Sequence, residues 1–500
     1  MKAFKGSLLT AVMLFPAIMG LSSCGKQTKG PGFTFWHTFS KKSEAKLIEV
    51  AKDFEDYIYQ STGQKITVYL EKFGGYDGIK DKIEKNLTVG NIPNLAVAYP
   101  DHVANYMNQG KVESNDPQKY IWKLDDFITD PQIGFGKQED LGDDPGHPND
   151  FFEAFIEEGT KYIEEGTYSL PFMKSTEVLY YNKTLLRHYL DGYEPYLSAG
   201  KNMEAFINSL DWDGFIQLCE FVRADLNKPK AQRLVPNSML THVLGYDSDA
   251  NMFITRLYQK SIAYSSYNKT TGKGQVDFEK SINADAFNAV RDDLKYLRDL
   301  HQRNILITKI TNGGNYSSDK FKAEETLFTV GSSGGSDYNE TKGDAFETVV
   351  TKVPAINDNA QYITQGVTLT FLKNPTESDE LNMERMRYAW QFAKYITNAE
   401  VNVDLCMQSN GYFPVRKSAL ETETWAELLE DSGSLRAKTM NAITQQVKHR
   451  YFNSSLFKGG SELRTQMGSL LGQALIASSD DNAVIEGLIT TAINTAKTYF

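Results

Sequence analysis

The residues of this chain that could most clearly take part in a reaction run from Gly331 to Gly335 and read Gly-Ser-Ser-Gly-Gly. They follow the apolar run Thr326–Val330, which predicts a strand. Gly-x-Ser-x-Gly directly after a strand is the arrangement that presents a serine nucleophile in many hydrolases. Such a hydrolase needs a later histidine, and only His449 follows Ser333. His449 lies in a polar, helix-like run without a turn signal, so a serine hydrolase using Ser333 is an alternative and not our main hypothesis.

Carboxylates are the second group that could do chemistry. Asp101 and Glu177 could form the carboxylate pair of a glycosidase, but acids are abundant in this chain. Residues 143–148, in a surface loop predicted at 129–150, lack the Asp-x-Asp-x-Asp-Gly order of a calcium loop. The sequence also has no glycine-rich phosphate loop with a lysine and no cluster of metal ligands. We therefore expect binding without catalysis, with no cofactor and no metal.

The beginning of the chain predicts where the protein is found. Two lysines precede an apolar run at 8–19, and Leu-Ser-Ser-Cys-Gly follows, with the cysteine at position 24. This order is typical of a secretory signal peptide, and the run is shorter than the roughly 20 residues that cross a bilayer. The tetrapeptide ending at Cys24 resembles the lipobox of bacterial lipoproteins. That resemblance implies removal of residues 1–23, lipidation of Cys24 and a polar tether at 24–32.

The net charge of the chain argues against several classes of partner. The formal net charge is −11, and loss of residues 1–23 removes two lysines and no acid, which leaves about −13. An acidic surface repels nucleic acids and anionic lipids, so we expect no nucleic-acid partner and membrane contact through the lipid only.

The chain has few cysteines. Beyond Cys24 only Cys219 and Cys406 remain. We expect two buried, unpaired thiols, with one long-range disulfide as the alternative.

The elements that must position these residues alternate between strand and helix. Period-two and three-to-four-residue apolar spacing predicts strands at Phe33–Trp36, Ile66–Leu70, Leu95–Tyr99, Thr326–Val330 and Gly366–Leu372, and helices around 47–58, 77–87, 212–222, 286–297 and 386–396. This alternation indicates an α/β fold with a mostly parallel sheet. Ligands of such sheets bind beyond the carboxyl ends of the strands.

Five segments then occur in one recognisable order. They are 35–39 (Phe-Trp-His-Thr-Phe), 171–183 (Pro-Phe-Met-Lys-Ser-Thr-Glu-Val-Leu-Tyr-Tyr-Asn-Lys), 212–215 (Trp-Asp-Gly-Phe), 331–334 (Gly-Ser-Ser-Gly) and 411–416 (Gly-Tyr-Phe-Pro-Val-Arg). Together they resemble the extracellular solute-binding proteins of ABC importers, in the branch that binds carbohydrates and glycerol-3-phosphate. The similarity covers most of residues 33–475.

The resemblance implies a two-lobed clamshell fold like that of periplasmic binding proteins, with three crossovers between the lobes. Lobe 1 is expected at 33–175 and 352–408, and lobe 2 at 178–350 and 412–500. The crossovers are expected near Ser175–Val178, Thr351–Pro354 and Cys406–Tyr412. Both lobes are then discontinuous in sequence.

The resemblance also implies ligand contacts at particular residues. They are Tyr76, Asp101, Ser175, Tyr246, Asp247, Ser333, Gly366, Tyr412 and Arg464. Arg464 falls where the glycerol-3-phosphate branch has an arginine that clamps the phosphate, and a guanidinium also hydrogen-bonds sugars. That branch has a glutamate just after the third strand, whereas this chain has Pro100 followed by Asp101. Asp101 could replace that carboxylate.

The sequence thus predicts a monomeric, lipid-anchored receptor on the extracellular face of the membrane or in the periplasm, which delivers a small solute to the permease of an ABC importer. A sugar or oligosaccharide is the leading ligand, and glycerol-3-phosphate or a glycerophosphodiester is the alternative. An anchored structural or adhesion protein is a third class, but it would not need hinge-like crossovers.

Lipidation of Cys24 is directly testable. Cys24→Ser removes the thiol that accepts the lipid, so we expect the variant to move from the membrane fraction to the soluble fraction after cell fractionation. A variant that stays with the membranes as fully as the wild type would contradict the anchor.

Overall fold

The computed structural model describes residues 30–135, 150–200, 202–268, 270–341, 345–357, 359–409, 411–447 and 450–500. Cys24, His449 and most of the loop predicted at 129–150 lie outside these residues. Among the helices described, none combines the length and the apolar character needed to cross a bilayer.

The chain alternates between strands and helices, as follows. The strands are β1 Gly32–His37, β2 Thr67–Lys72, β3 Leu95–Ala98, β4 Ser169–Ser175, β5 Glu177–Asn182, β6 Leu244–Tyr246, β7 Ser265–Asn268, β8 Lys273–Val276, β9 Leu306–Thr308, β10 Phe328–Ser332, β11 Thr348–Thr351, β12 Gln361–Ile363, β13 Gln365–Phe371 and β14 Arg450–Phe452. The helices are α1 Lys41–Thr62, α2 Tyr76–Asn86, α3 Pro100–Ser114, α4 Asp125–Thr129, α5 Glu153–Glu158, α6 Lys183–Leu190, α7 Glu194–Ser198, α8 Met203–Ser209, α9 Trp212–Leu226, α10 Asp249–Gln259, α11 Ala284–Gln302, α12 Ser317–Lys322, α13 Asp379–Ile396, α14 Ala399–Met407, α15 Glu423–Glu430, α16 Leu435–Val447, α17 Gly460–Leu475 and α18 Asn482–Lys497.

Two five-stranded sheets form the centre of the fold. The first has the order β2-β1-β3-β13-β4, with β1 parallel to β2 and β3, and with β13 antiparallel to β3 and β4. The second has the order β11-β5-β10-β6-β9, with β5 antiparallel to both β10 and β11. In each sheet the carboxyl ends of the parallel strands lie at one edge, and that edge is where ligands of such sheets bind.

The first helix shows how the sequence pattern builds a layer on the first sheet. Its apolar spacing puts Leu47, Phe54 and Ile58 on one buried face. The Phe54 ring lies 5.1 Å from the ring of Phe392 in α13, which packs on the same side. Gly63 ends the helix in the left-handed conformation that glycine adopts readily. The helix predicted around 47–58 is thus present and longer than its apolar core.

The two sheets are joined by a very short connection. Ser175 is the last residue of β4 in the first sheet, and Glu177 is the first residue of β5 in the second. Further on, the chain still contacts the first sheet after residue 412, because the backbone of Phe413 pairs with that of Lys174 in β4. The crossover expected near Cys406–Tyr412 therefore precedes a segment that remains on the first sheet.

The two remaining cysteines are buried and free. Cys219 lies in α9 and Cys406 in α14. Burial raises the pKa of both thiols, so they stay protonated and unreactive at neutral pH.

A buried ion pair holds the end of β4. The Lys174 side chain is fully buried and its ammonium contacts the carboxylate of Glu158. Lys174→Met would leave that carboxylate without a cation, so we expect the free energy of unfolding to fall by about 3–5 kcal/mol. Urea unfolding at pH 7 measures this loss, and the double variant Glu158→Gln/Lys174→Met should recover part of it.

The control is the exposed pair of Lys161 and Glu157, whose charged atoms are 3.3 Å apart. Lys161→Met should change the free energy of unfolding by no more than about 1 kcal/mol. Equal losses in the Lys161 and Lys174 variants would contradict a special role for the buried pair.

Candidate functional site

A cavity of about 440 Å³ lies between the carboxyl edges of the two sheets. The first sheet contributes Asp101 just after β3 and Gly366 from the start of β13, and the second contributes Ser332 at the end of β10. The first turn of α17 closes another side with Ser461 and Arg464. The volume is in the range of small-molecule sites, about 300–1,000 Å³.

Five of the residues predicted to contact ligand line this cavity. They are Asp101, Ser175, Gly366, Tyr412 and Arg464. Tyr76 lies directly behind the wall, since its hydroxyl is 3.4 Å from that of Tyr412 and its ring centroid is 4.6 Å from that of Tyr99. Segments that are more than 350 residues apart in sequence thus meet at one place.

Three other predicted residues lie outside the cavity wall, with their polar groups engaged in the fold. The Tyr246 hydroxyl donates to Glu177 Oε2 at 2.6 Å. Asp247 Oδ1 accepts hydrogen bonds from the backbone N–H and the hydroxyl of Ser317, at 2.6 and 2.7 Å. Ser333 is fully buried, and its Oγ accepts from the N–H of Thr176 at 3.2 Å. The polar groups of all three residues thus hold other parts of the fold, and none of the three lines the cavity.

The burial of Ser333 also bears on the hydrolase alternative. A nucleophilic serine at a strand-to-helix turn must expose its Oγ to substrate. Here the Oγ faces the backbone of Thr176 and the side chain has no exposed surface. The Gly-x-Ser-x-Gly motif of residues 331–335 therefore serves a turn that fastens one sheet to the connection between the two.

Close packing of the backbone requires a glycine at position 366. Its φ is +98°, and a Cβ at this position would lie 2.4 Å from the carbonyl oxygen of Met173. No other residue type fits there, because β13 and β4 approach closely at this end. The close approach brings the backbone of Gly366 to the cavity wall.

A buried hydrogen-bonded chain holds Arg464. Its Nη2 donates to Asn251 Oδ1, and Asn251 also hydrogen-bonds the carboxylate of Glu177. Burial raises the pKa of Glu177 to about 7, while hydrogen bonds from Tyr246 and Asn251 and the charge of Arg464 oppose that rise. Asp247 adds to it by repulsion. The negative charge of Glu177 near Arg464 therefore depends on pH, because the pKa of this carboxyl is about 7.

The remaining wall combines aromatic rings with carboxylates. Tyr99, Tyr264 and Tyr412 line the cavity, and burial raises the pKa of each, so their hydroxyls stay neutral hydrogen-bonding groups. Asp77 and Asp101 face the same space. Aromatic faces and carboxylates are the groups that bind the apolar faces and the hydroxyls of a sugar ring.

Three wall residues carry a buried polar atom that has no hydrogen-bond partner among the described residues. These atoms are His102 Nδ1, the Tyr264 hydroxyl and Gln365 Oε1. Burial lowers the pKa of His102, so its ring is neutral at pH 7 despite the nearby Asp101 and Asp77. A buried polar group without a partner lowers the stability of the fold, and these three atoms have no surface open to the cavity.

Sequence reasoning missed several wall residues. Tyr99 was assigned to the end of a strand, but β3 stops at Ala98 and Tyr99 precedes α3. Residues 453–455 (Asn-Ser-Ser) also line the cavity, in a segment without regular periodicity. The only signal for Gln365 was its place directly before a strand predicted to begin at Gly366.

Known structures share this fold. UgpB from Mycobacterium tuberculosis, solved in complex with glycerophosphocholine, is 18% identical with a TM-score of 0.64, over 94% of this chain and 99% of that one. The sugar-binding protein MalE from Xanthomonas citri is 13% identical with a TM-score of 0.66, over 93% and 98% of the two chains. The GacH receptor of Streptomyces glaucescens is 17% identical with a TM-score of 0.61, over 94% and 100%. Their similarity confirms the predicted two-lobed α/β fold.

The chain's own sequence carries the family assignment. No match was found among the curated proteins. The family model of bacterial extracellular solute-binding proteins, however, matches residues 49–430, which is more than half of the chain. Together with a cavity between two sheets, this match identifies the chain as a member of the bacterial extracellular solute-binding protein family.

Proposed function

We propose that this protein is the receptor of an ABC importer that captures a sugar or short oligosaccharide, with neutral rings in the cavity between its sheets. The observation that carries the ligand assignment is a wall that combines the rings of three tyrosines with the charged groups of Asp77, Asp101 and Arg464. These residues come from different parts of the fold and meet at one cavity. A ligand with several hydroxyl groups can donate to the carboxylates and accept from the guanidinium while a ring face packs on a tyrosine.

The charges of the wall favour a neutral ligand. Among the lining residues described, Asp77, Asp101 and Glu158 are acidic, and Arg464 is the one arginine or lysine. Lys174 balances Glu158 from behind, and Asn251 accepts a hydrogen bond from Arg464. An anion in this cavity would lie near more carboxylates than cations. A sugar hydroxyl can donate a hydrogen bond to a carboxylate or accept one from the arginine.

Closure of the two halves on the ligand is the proposed mechanism. Lys80 of α2 and Glu462 of α17 lie 3.8 Å apart and connect helices on opposite sides of the cavity. A ligand that touches both sides favours the closed form by its difference in affinity for the two states. A shift from 1% to 99% closed needs about 5.5 kcal/mol of that difference. A few hydrogen bonds to charged groups, at about 1.5–3 kcal/mol each, would supply it.

The further parts of the proposal follow from the sequence. We propose that the protein is a monomer held to the membrane by a lipid on Cys24. Lobe 1 comprises 33–175 and 352–408, and lobe 2 comprises 178–350 and 412–500, with the segment at 413–416 still hydrogen-bonded to lobe 1. Closure would give the permease a shape to recognise.

A glycerophosphodiester is the second candidate ligand. The tyrosines of the wall and the carboxylates of Asp77 and Asp101 could also hold a quaternary ammonium, since cations bind aromatic faces. Arg464 would then contact the phosphodiester. The similar structure of UgpB contains glycerophosphocholine.

A ligand screen of residues 25–500 tests both candidates. Sugars, oligosaccharides, glycerol-3-phosphate and glycerophosphocholine are added in a thermal-shift assay, and hits are titrated by calorimetry. A ligand at a hundred times its Kd stabilises the native state by about 2.7 kcal/mol. We expect a shift with neutral carbohydrates; a shift with glycerophosphocholine alone would select the second candidate, and no shift with any compound would contradict both.

Variants of the wall locate the site. Arg464→Ala and Tyr412→Ala should each weaken binding of the hit at least tenfold, which is about 1.4 kcal/mol, because each removes a polar or stacking contact. Arg303→Ala and Tyr338→Ala are matched controls on exposed surface and should bind like the wild type. Unchanged affinity in both wall variants would place the ligand elsewhere.

Glu177 predicts a pH dependence of stability. Its pKa is raised to about 7 in the folded state from 4.5, so the folded state binds this proton more tightly than the unfolded state. The resulting stabilisation is complete below pH 4.5 and is lost as the pH rises through 7. Glu177→Gln removes the titration, so the variant should gain stability relative to the wild type between pH 5 and pH 8 in urea unfolding.

The control for this pH series is Glu340→Gln, at an exposed position. Its stability relative to the wild type should be the same at pH 5 and pH 8. A Glu177→Gln difference that is equally constant with pH would overturn the titration assigned to this buried carboxyl.

A further inference from the structure

A second cavity, of about 340 Å³, lies beside the first. One wall is α3, which contributes residues at positions 104, 107, 108, 111 and 112. This spacing of three and four places them on one helix face. The first cavity uses the beginning of the same helix, at Asp101 and His102, and the two cavities share Leu456.

The opposite wall is fixed by the hairpin of β7 and β8 and by the segment after β14. Gly274 sits so close to the Phe457 ring that a Cβ would lie 2.2 Å from it. Phe500 packs edge-on against Phe457, with ring centroids 5.2 Å apart. The hairpin, Phe457 and the end of the chain thus form one packed wall facing α3.

The two cavities follow one another along α3, and we call the space that they span the groove. From Asp101 to Val112 the helix rises about 17 Å at 1.5 Å per residue. Residues 453–456 line the first cavity and 456–458 the second, so the facing segment runs past both. A ligand that entered the first cavity could extend along the helix into the second.

The charge of the groove changes along its length. The first cavity has Asp77, Asp101 and Glu158 against Arg464. In the second, the charged side chains are those of Lys111, Lys273 and Lys458 against that of Glu164, which lies 3.3 Å from Lys111. In the described part of the chain, the near end of the groove is therefore acidic and the far end basic.

We propose that the second cavity receives the distal, anionic end of an elongated carbohydrate whose neutral rings occupy the first cavity. Lys273 and Lys458, on neighbouring elements of the packed wall, would contact the anion, with Lys111 on the facing helix. The anion is a carboxylate, as in a uronic acid, or a phosphate ester. This inference rests on the proposed function, because it assigns the rest of the same ligand.

The test titrates acidic and neutral carbohydrates of matched length. The probes are mono-, di- and trigalacturonic acid for the carboxylate, maltose 1-phosphate for the phosphate, and maltose and maltotriose as neutral counterparts. We expect an acidic di- or trisaccharide, or maltose 1-phosphate, to bind at least tenfold tighter than the neutral compound of equal length. The gain should shrink with added salt, because the lysines are exposed.

Two sets of variants separate this subsite from the main site. Lys273→Ala/Lys458→Ala should abolish the gain from the anion, while Lys65→Ala/Lys322→Ala, which removes two distant charges, should not. Asn108→Trp fills the second cavity and should weaken the trisaccharide but not the monosaccharide.

The outcomes distinguish this inference from the proposed function. Binding of neutral sugars with no preference for charge, or a preference that survives Lys273→Ala/Lys458→Ala, overturns the anionic subsite and leaves the receptor proposal in place. Binding of none of the carbohydrates overturns both.

Discussion

The site depends on the one-residue connection between β4 of the first sheet and β5 of the second. Thr176 lies between β4 and β5, and every polar group that it offers is used. Its N–H donates to Ser333 Oγ at 3.2 Å, its carbonyl accepts from Ser333 N at 2.8 Å, and its hydroxyl donates to Ile363 O at 2.9 Å. A connection this short forces the edges of the sheets to face each other. The strand ends of both sheets therefore open into one cavity, where a ligand can touch both sides.

Much of the fold around this connection could be predicted from the sequence. Strands and helices follow from apolar spacing, and the helix around 47–58 and the long helix around 286–297 are present because their buried faces are continuous. The strand ends that meet at the cavity were also predicted, because the family resemblance implied a two-lobed fold. Asp101, Gly366 and Arg464, expected at the site, all reach its wall.

The orientation of side chains at those strand ends could not be predicted. Tyr246 ends β6 and Asp247 follows it, but Tyr246 donates to the buried Glu177 and Asp247 accepts from Ser317. A polar residue at a strand end either meets the ligand or satisfies a buried partner, and its sequence neighbours do not decide which. The wall at 453–455 escaped prediction for a different reason, because no periodic pattern marks an irregular segment.

The central claim is that the cavity between the sheets is the solute site. A crystal structure of the protein with its tightest-binding carbohydrate tests it most directly. We expect sugar density in this cavity, with ligand hydroxyls within hydrogen-bond distance of Asp101 and Arg464. A carbohydrate bound outside the cavity would contradict the assignment.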